Sequence, residues 1–173
     1  MKILVIALSG IGDALMFTPA LILLRQNYPY AEIDALVMYK GAEEILSSNK
    51  NLNRVIHFNF SEEGFFKSLK FLTELRKKYD ASINVYPSNR KEYNIISYII
   101  GAKQRAGAVY LRKDKSCLGF LNNIRVLEND SVHNVQTNIK LCEALIGKKF
   151  NEEPSLEYSI PENENVSANK FLN

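Results

Sequence analysis

The chain has 173 residues, 46% hydrophobic and 24% charged, which suits one globular domain with a proper core and excludes a disordered polymer. Its 22 basic residues stand against 19 acidic ones, and a net charge of +3 is too small a surplus to argue for nucleic acid as a partner. Cys117 and Cys142 match no metal-ligand spacing and no disulfide framework, so both are expected as structural thiols and no metal is expected.

The first element is an apolar run, Ile3 to Leu8, that reads as a buried parallel strand over residues 2–8. It empties into Ser9-Gly10-Ile11-Gly12-Asp13, where two glycines are expected to let the chain turn into a helix over 13–27. Pro19 lies inside that helix and leaves two outcomes open: Thr18 caps a second helix with Pro19 at its first position, or one helix kinks there. A secretory leader would show Lys2, an apolar stretch and small residues such as Thr18-Pro19-Ala20, but Asp13 and the glycines interrupt the stretch. No run approaches the roughly 18 apolar residues of a membrane span, and the chain is expected to be cytosolic with a mature start. A nicotinamide fingerprint would need a glycine at position 15 and an acid ending the second strand; the chain has Leu15 and Val37-Met38-Tyr39-Lys40.

Further strands are predicted over 32–38, 54–58, 81–86 and 104–109, with helices over 41–48, 64–78, 91–100 and 134–146. In the 64–78 helix, Phe65, Phe66, Leu69, Leu72, Leu75 and Tyr79 recur at helical spacing, while Lys67, Lys70, Glu74 and Lys77 take the other face; the aromatic stripe is expected in the core. Two regions break the pattern. Residues 110–131 are polar and basic, with Arg112, Lys113, Lys115 and Arg125, and read as a long functional or mobile loop. After Phe150 the chain turns acidic and proline-punctuated, and a helical register begins at Val166, so residues 151–173 read as a linker and the start of a further domain. Strand-helix alternation implies right-handed crossovers and an α/β, Rossmann-like, three-layer domain with a mostly parallel sheet over residues 1–150.

In such sheets ligands bind outside the carboxyl ends of the strands, which makes Asp13 the first candidate for chemistry. A helix cap is the alternative role for Asp13, and the two are compatible. Amides from Gly10 to Ala14 are offered to a phosphate, although Asp13 beside them repels anions. The exit of the fourth strand, Asn84-Val85-Tyr86-Pro87-Ser88-Asn89-Arg90-Lys91, reads either as turn chemistry capping the next helix or as a polar, cationic wall for an anionic or hydroxyl-rich ligand. Arg112, Lys113 and Lys115 read as a solvated loop face or as further contacts. His57 and His133 carry no metal spacing, and His133 suits local hydrogen bonding at a helix start.

The strings Gly10-Ile11-Gly12-Asp13, Thr18-Pro19-Ala20, Leu24-Arg25 and Pro29, then Tyr79-Asp80, Gly101-Ala102-Lys103 and His133 leading the last helix to Leu145, resemble the N-terminal domain of family 9 glycosyltransferases. These are the ADP-heptose:lipopolysaccharide heptosyltransferases and their relatives. The resemblance implies a GT-B enzyme of two Rossmann-like halves, the N-terminal one holding the acceptor and the C-terminal one the nucleotide-sugar. It implies that Asp13 is the general base of an inverting transfer without a bound metal. It further implies an anionic glycolipid or oligosaccharide acceptor met by Ser9, Gly10, Gly12, Ser88, Arg90, Arg112 and Lys113. No cofactor is expected beyond a nucleotide-sugar co-substrate, ADP-heptose. The place of action would be the cytoplasm, with peripheral contact at the inner face of the membrane. This chain would be the acceptor half, inactive alone. It departs from the pattern at Tyr86-Pro87, where relatives carry a smaller, glycine-containing turn. The alternative from another class is a stand-alone, non-catalytic, flavodoxin-like module whose Ser9-to-Asp13 loop and Arg90 hold a small ligand.

Overall fold

A computed structural model of the chain describes residues 1–88, 90–151 and 154–157. In chain order the elements are β1 (Lys2–Ala7), α1 (Ile11–Met16), α2 (Thr18–Asn27), β2 (Glu32–Val37), α3 (Lys40–Ser47), β3 (Arg54–His57), α4 (Phe60–Leu75), β4 (Ala81–Asn84), α5 (Lys91–Ile100), β5 (Gln104–Val109), β6 (Ile124–Leu127) and α6 (Asn134–Ile146). Among the described residues there are six strands, all parallel, in the spatial order β3-β2-β1-β4-β5-β6. The expected α/β, Rossmann-like sheet is therefore present, parallel throughout and one strand wider than predicted.

β1 sits at the centre because both faces of it are apolar. Ile3, Val5 and Ala7 join a core with Phe17 at the break between α1 and α2 and with Leu21, Leu24, Leu46, Leu141 and Leu145 from α2, α3 and α6. Leu4, Ile6 and Leu8 join the opposite core with Leu72, Leu75, Tyr93, Ile96 and Ile100 from α4 and α5. The side-chain period of two along a strand thus builds three layers from one continuous hydrophobic run. Ile3 lies opposite Ile33 on one side and Ala81 on the other, so the chain leaves β1 toward β2 and later returns to the far side of β1 as β4. That reversal opens a crevice beyond the carboxyl ends of β1 and β4.

Several conspicuous polar residues hold this frame. Arg25 donates to the carbonyls of Ala31 at 2.7 Å and Asn51 at 2.9 Å and to Asn53 Oδ1 at 2.7 Å, fixing the chain before and after the α3 unit. Buried Asp34 accepts from Arg54 and from the Tyr79 hydroxyl, each at 2.7 Å. Asp80 accepts from the Lys2 amide at 2.8 Å, and His133 caps α6 by accepting from the Val135 amide at 3.3 Å. Both cysteines are free and buried.

The structure corrects four expectations. Of the two outcomes left open at Pro19, the second helix is the one present, but one residue out of the expected register: Phe17 caps it, Thr18 is first and Pro19 second in α2, and the Thr18 hydroxyl donates back to the Leu15 carbonyl at 2.8 Å instead of capping. The 64–78 helix starts earlier, at Phe60, and breaks at Gly64, whose φ of 72° is left-handed backbone that only glycine takes without strain. That break rotates the aromatic stripe out of the core: Phe65 is 72% and Phe66 85% exposed, and burial begins at Leu72. Residues 110–131 are not one loop. They hold a 3-10 turn at Gly119–Leu121 and the edge strand β6, whose Ile124 and Val126 pack on the core while Arg125 pairs with Asp114 at 2.6 Å. Asn89, Glu152, Glu153 and residues 158–173, with the helical register expected from Val166, lie outside the described residues.

Candidate functional site

The loops after β1 and β4 flank one crevice. Of the sequence-predicted residues, Arg90 lines its cavity and Ser9 bonds across to the lining residue Tyr93. Asp13, Gly10 and Gly12 lie on the adjoining loop and helix and are not among the lining residues. Leu8 ends the apolar run inside the core; Ser9 and Gly10 then carry the chain out, and α1 starts at Ile11 with Gly10 as its capping residue. Gly10 has ordinary extended backbone, φ −70° and ψ −175°, and a Cβ at Gly10 or Gly12 would meet nothing within 4 Å. The two glycines are thus not needed for the turn, contrary to expectation; what they do is leave the backbone bare at the mouth of the crevice. No side chain caps the first amides of α1, so these donors face outward at the positive end of the helix.

Asp13 is the third residue of α1, within its first turn, and does not cap it. Its carboxyl is held above the usual aspartate value, because burial outweighs the Ser9 hydroxyl that hydrogen-bonds it. A capping aspartate is stabilised in its charged form, and the opposite balance here separates Asp13 from that role. Ser9 also bridges the crevice. Its Oγ lies 2.8 Å from the Tyr93 hydroxyl on α5 and 3.5 Å from the Pro87 carbonyl in the loop after β4.

That second loop is built from buried polar pairs. The Val85 amide extends the β1 ladder to Ile6 O at 2.9 Å, and Asn138 on α6 clasps Tyr86, accepting from its amide at 2.8 Å and donating to its carbonyl at 3.3 Å. The Tyr86–Pro87 peptide is cis, and the Tyr86 ring stacks on Tyr110 with centroids 5.9 Å apart. Ser88 is buried; its amide donates to the Tyr110 hydroxyl at 2.7 Å, so it supports the loop rather than lining its surface. Arg90, exposed, caps α5 with extended backbone and lines a cavity of about 450 Å³ together with Leu8, Met38, Phe60, Ser61, Glu92, Tyr93 and Ile96. Burial is what chiefly raises the Tyr93 phenol; the Asp13 and Arg90 charges act on it weakly and in opposite directions. Arg112 and Lys113 are exposed on the turn following β5, at the same edge of the sheet but outside this cavity. Among the described residues no group of three His, Cys, Asp or Glu side chains is placed to hold a metal.

Tyr93, the Pro87 carbonyl and the start of α4 escaped the sequence reading. Tyr93 is 84 residues from Ser9, and only the fold brings them together. Its position one turn into the helix after a polar strand exit was the one available signal. Chemically, the described residues of the crevice offer a carboxylate able to accept a proton, helix amides without a side-chain cap and the exposed Arg90 guanidinium, a set that suits a hydroxyl-bearing anionic ligand.

No protein-family model matches the chain. Over 79 residues, 43% of its length, it is 37% identical to lipopolysaccharide heptosyltransferase 3 of Escherichia coli, a stretch that covers 23% of that protein. Its fold superposes on E. coli ADP-heptose lipopolysaccharide heptosyltransferase II with a TM-score of 0.77 at 22% identity, using 99% of this chain and 50% of that one. A family 9 glycosyltransferase from Veillonella parvula gives 0.74 at 20% identity, with 98% and 48% covered. An E. coli heptosyltransferase bound to an ADP-fluoroheptose analogue gives 0.72 at 21% identity, with 91% and 51% covered. The chain therefore spans about half the length of these structures. Of the positions that carry the resemblance in sequence, Arg25, Tyr79, Asp80 and His133 hold the frame, while Gly10, Gly12 and Asp13 stand at the crevice. Both in its α/β fold and in a local stretch of sequence, the chain is similar to the heptosyltransferases of glycosyltransferase family 9.

Proposed function

We propose that this chain is the acceptor-side, N-terminal half of an inverting, metal-independent glycosyltransferase that moves a sugar, with heptose the leading candidate, from a nucleotide-sugar to a lipopolysaccharide-core or related glycolipid acceptor. The observation that carries the reading is Asp13: an uncapping acid with a raised carboxyl, at the switch point of a Rossmann-like sheet whose fold matches half of each heptosyltransferase. The similarity over 79 residues to a lipopolysaccharide heptosyltransferase supports the same assignment.

In this reaction the Asp13 carboxylate takes the proton of an acceptor hydroxyl as that oxygen attacks the anomeric carbon. The new glycosidic bond forms on the face opposite the nucleotide; the bond from that carbon to the diphosphate oxygen breaks, its electron pair leaves on the diphosphate, and configuration inverts. ADP-heptose is the donor we assign, and the donor half lies outside residues 1–150, so this chain alone is expected to be inactive. Arg90 meets acceptor charge at the cavity wall, Ser9, Gly10 and Gly12 offer contacts from the loop after β1, and Arg112 and Lys113, outside the cavity, meet parts of a larger acceptor that extend beyond it. Ser88 acts through its amide, by holding the loop. The acceptor's lipid places the reaction at the inner face of the cytoplasmic membrane, approached peripherally; no helix among the described residues is long and apolar enough to cross it.

The test is Asp13→Asn in a protein carrying both halves. Removing a general base costs about 10²–10⁴ in turnover. Donor binding should stay at its wild-type value and the thermal midpoint should not fall at neutral pH, because Asp13 caps nothing and its partly buried charge costs stability there. Near-normal turnover would remove Asp13 from the chemistry and leave the crevice to the alternative, a non-catalytic ligand-binding module.

A further inference from the structure

Gly64, whose break turns Phe65 outward, also lines a trench that the reaction as described does not use. This second cavity, of about 270 Å³, runs between α4 and α5, walled by Phe65, Leu69 and Leu72 on one side and by Ile95 and Ile99 on the other. It is continuous with the Arg90 cavity, because Phe60, Glu92 and Ile96 line both. From Glu92 in the first turn of α5 to Ile99 it extends about 10 Å, at the 1.5 Å rise per residue of a helix. The two ends differ in chemistry. Arg90 and Glu92 stand where the cavities join, whereas beyond the shared residues the walls are hydrocarbon, and the Ser68 hydroxyl among them donates to the Gly64 carbonyl at 2.7 Å. Phe65 and Leu69 are nonetheless exposed, and apolar walls left against water favour an apolar ligand.

We propose that this trench is the acyl-chain subsite of the acceptor: a hydroxyl-bearing anionic head sits in the Arg90 cavity, and a chain carried by the same molecule lies between α4 and α5. This rests on the reading of the Arg90 cavity as the acceptor site and deepens it. At the junction Arg90 meets the negative charge of the head and the Glu92 carboxylate accepts from its hydroxyls, while the apolar walls take the chain. Size and surroundings favour a chain over a protein partner. A docked helix is itself 10–12 Å across, and 10 Å of it would fill about three times the volume of the trench. Beside Phe65 and Leu69 stand exposed Lys67, paired with Glu63 at 3.0 Å, and exposed Lys70. A stable protein interface needs roughly 800 Å² on each side, with charges depleted from its centre. Continuity with the polar cavity gives the remaining reason: a chain attached to the head must leave that cavity, and the trench is a path out of it.

The experiment is methyl NMR on a protein carrying both halves, following Leu69, Leu72, Ile95 and Ile99. The probes are lysophosphatidic acids of graded chain length, kept below micelle formation; each brings a phosphate, a free hydroxyl and one acyl chain. Those methyls should shift, and affinity should rise about two- to fourfold for each added methylene until the trench is full, the scale of burying one CH₂. Glycerol 3-phosphate, the same head without a chain, should leave them in place. Leu69→Gln and Phe65→Gln, both at exposed positions, should flatten the chain-length dependence, whereas Arg90→Gln should weaken all chain lengths by one common factor. Unshifted methyls overturn the proposal, whether the trench stays empty or the other half covers it. Binding that is undiminished in Arg90→Gln overturns it too, since the trench would then be a general lipid contact independent of the acceptor cavity. In the same protein a lipopolysaccharide-core acceptor should show a KM about tenfold lower with its acyl chains than without them, the scale of burying a few CH₂ groups, and Leu69→Gln should erase that difference at unchanged kcat. Equal KM values in the wild type overturn the proposal. Absence of turnover with both forms would instead fail the glycosyltransferase reading, and the methyl titration, which needs no turnover, still decides the trench.

Discussion

At Asp13 the local sequence and the tertiary fold pull in opposite directions. A carboxylate in the first turn of a helix is favoured by the dipole, and the Ser9 hydroxyl adds to that, yet burial prevails and the carboxyl sits above its ordinary value near 4. The consequence for activity has a definite sign. The base form is the deprotonated one, so kcat/KM should rise with pH through a midpoint above the usual aspartate value, and that limb should be absent from whatever activity Asp13→Asn retains. A limb at or below about 4 would mean the carboxyl is not desolvated in the working enzyme. The consequence for stability runs the other way. A carboxyl raised on folding takes up protons more readily in the native state, so the ionised group costs stability at neutral pH, and that cost fades as pH falls through the folded midpoint. The strand-loop-helix pattern alone pointed to Asp13, because one contiguous segment builds its position. It could not point to Tyr93 or to the burial of Ser88, which depend on partners 84 and 22 residues away.

At the level of elements, legibility tracked how local each determinant is. The boundaries of α5 and α6 follow from periodic apolar positions and closing glycines, Gly101 and Gly147, and the sequence reading places them at the residues observed. The stripe on α4 misled because Gly64 breaks the helix just before it; helical spacing says which residues share a face but not which way a bent helix turns that face. β6 was missed because it is a four-residue edge strand with Arg125 in it, and what fixes it is tertiary. Asn94 accepts from Asn84 at 2.9 Å and Asn122 at 2.6 Å and donates to the Cys117 carbonyl at 2.6 Å, tying β4, α5 and the segment before β6 into one buried network. Gly107 on β5 makes room for it: a Cβ there would run into the Asn122 amide. In a strand, replacing glycine by alanine ordinarily stabilises. Here Gly107→Ala should instead destabilise, by about 2–4 kcal/mol, as overpacking adds to a strained buried hydrogen bond. Denaturant midpoints at unchanged m decide it, and a more stable variant would show that Asn122 is free to swing aside.

Across the whole molecule, the strand order is what converts these elements into a site. Alternating strands and helices predict a parallel sheet, but which strand neighbours which is decided by competition among buried edges that no local window contains. The outcome puts β1 between β2 and β4, buried on both faces, and makes its exit one wall of the crevice. The chain also closes over this layer from its far end: the Glu157 amide donates to Thr18 Oγ1 at 2.9 Å and its carboxylate accepts from Asn51 at 2.8 Å, tying the segment after α6 to α2 and the α3 exit. Stability should then be graded from the centre outward. Native-state hydrogen exchange in rising denaturant should find β1 amides exchanging only through global unfolding, with a steep denaturant dependence. β6 is bonded on one side and half-exposed, and should open locally with almost none. A graded sheet of this kind keeps Ser9 and Asp13 at the exit of the most rigid strand while Arg112 and Lys113 ride on the softer edge. If β1 and β6 instead exchanged along one common isotherm, the sheet would be a single cooperative unit, and the basic turn after β5 would be as fixed as Asp13.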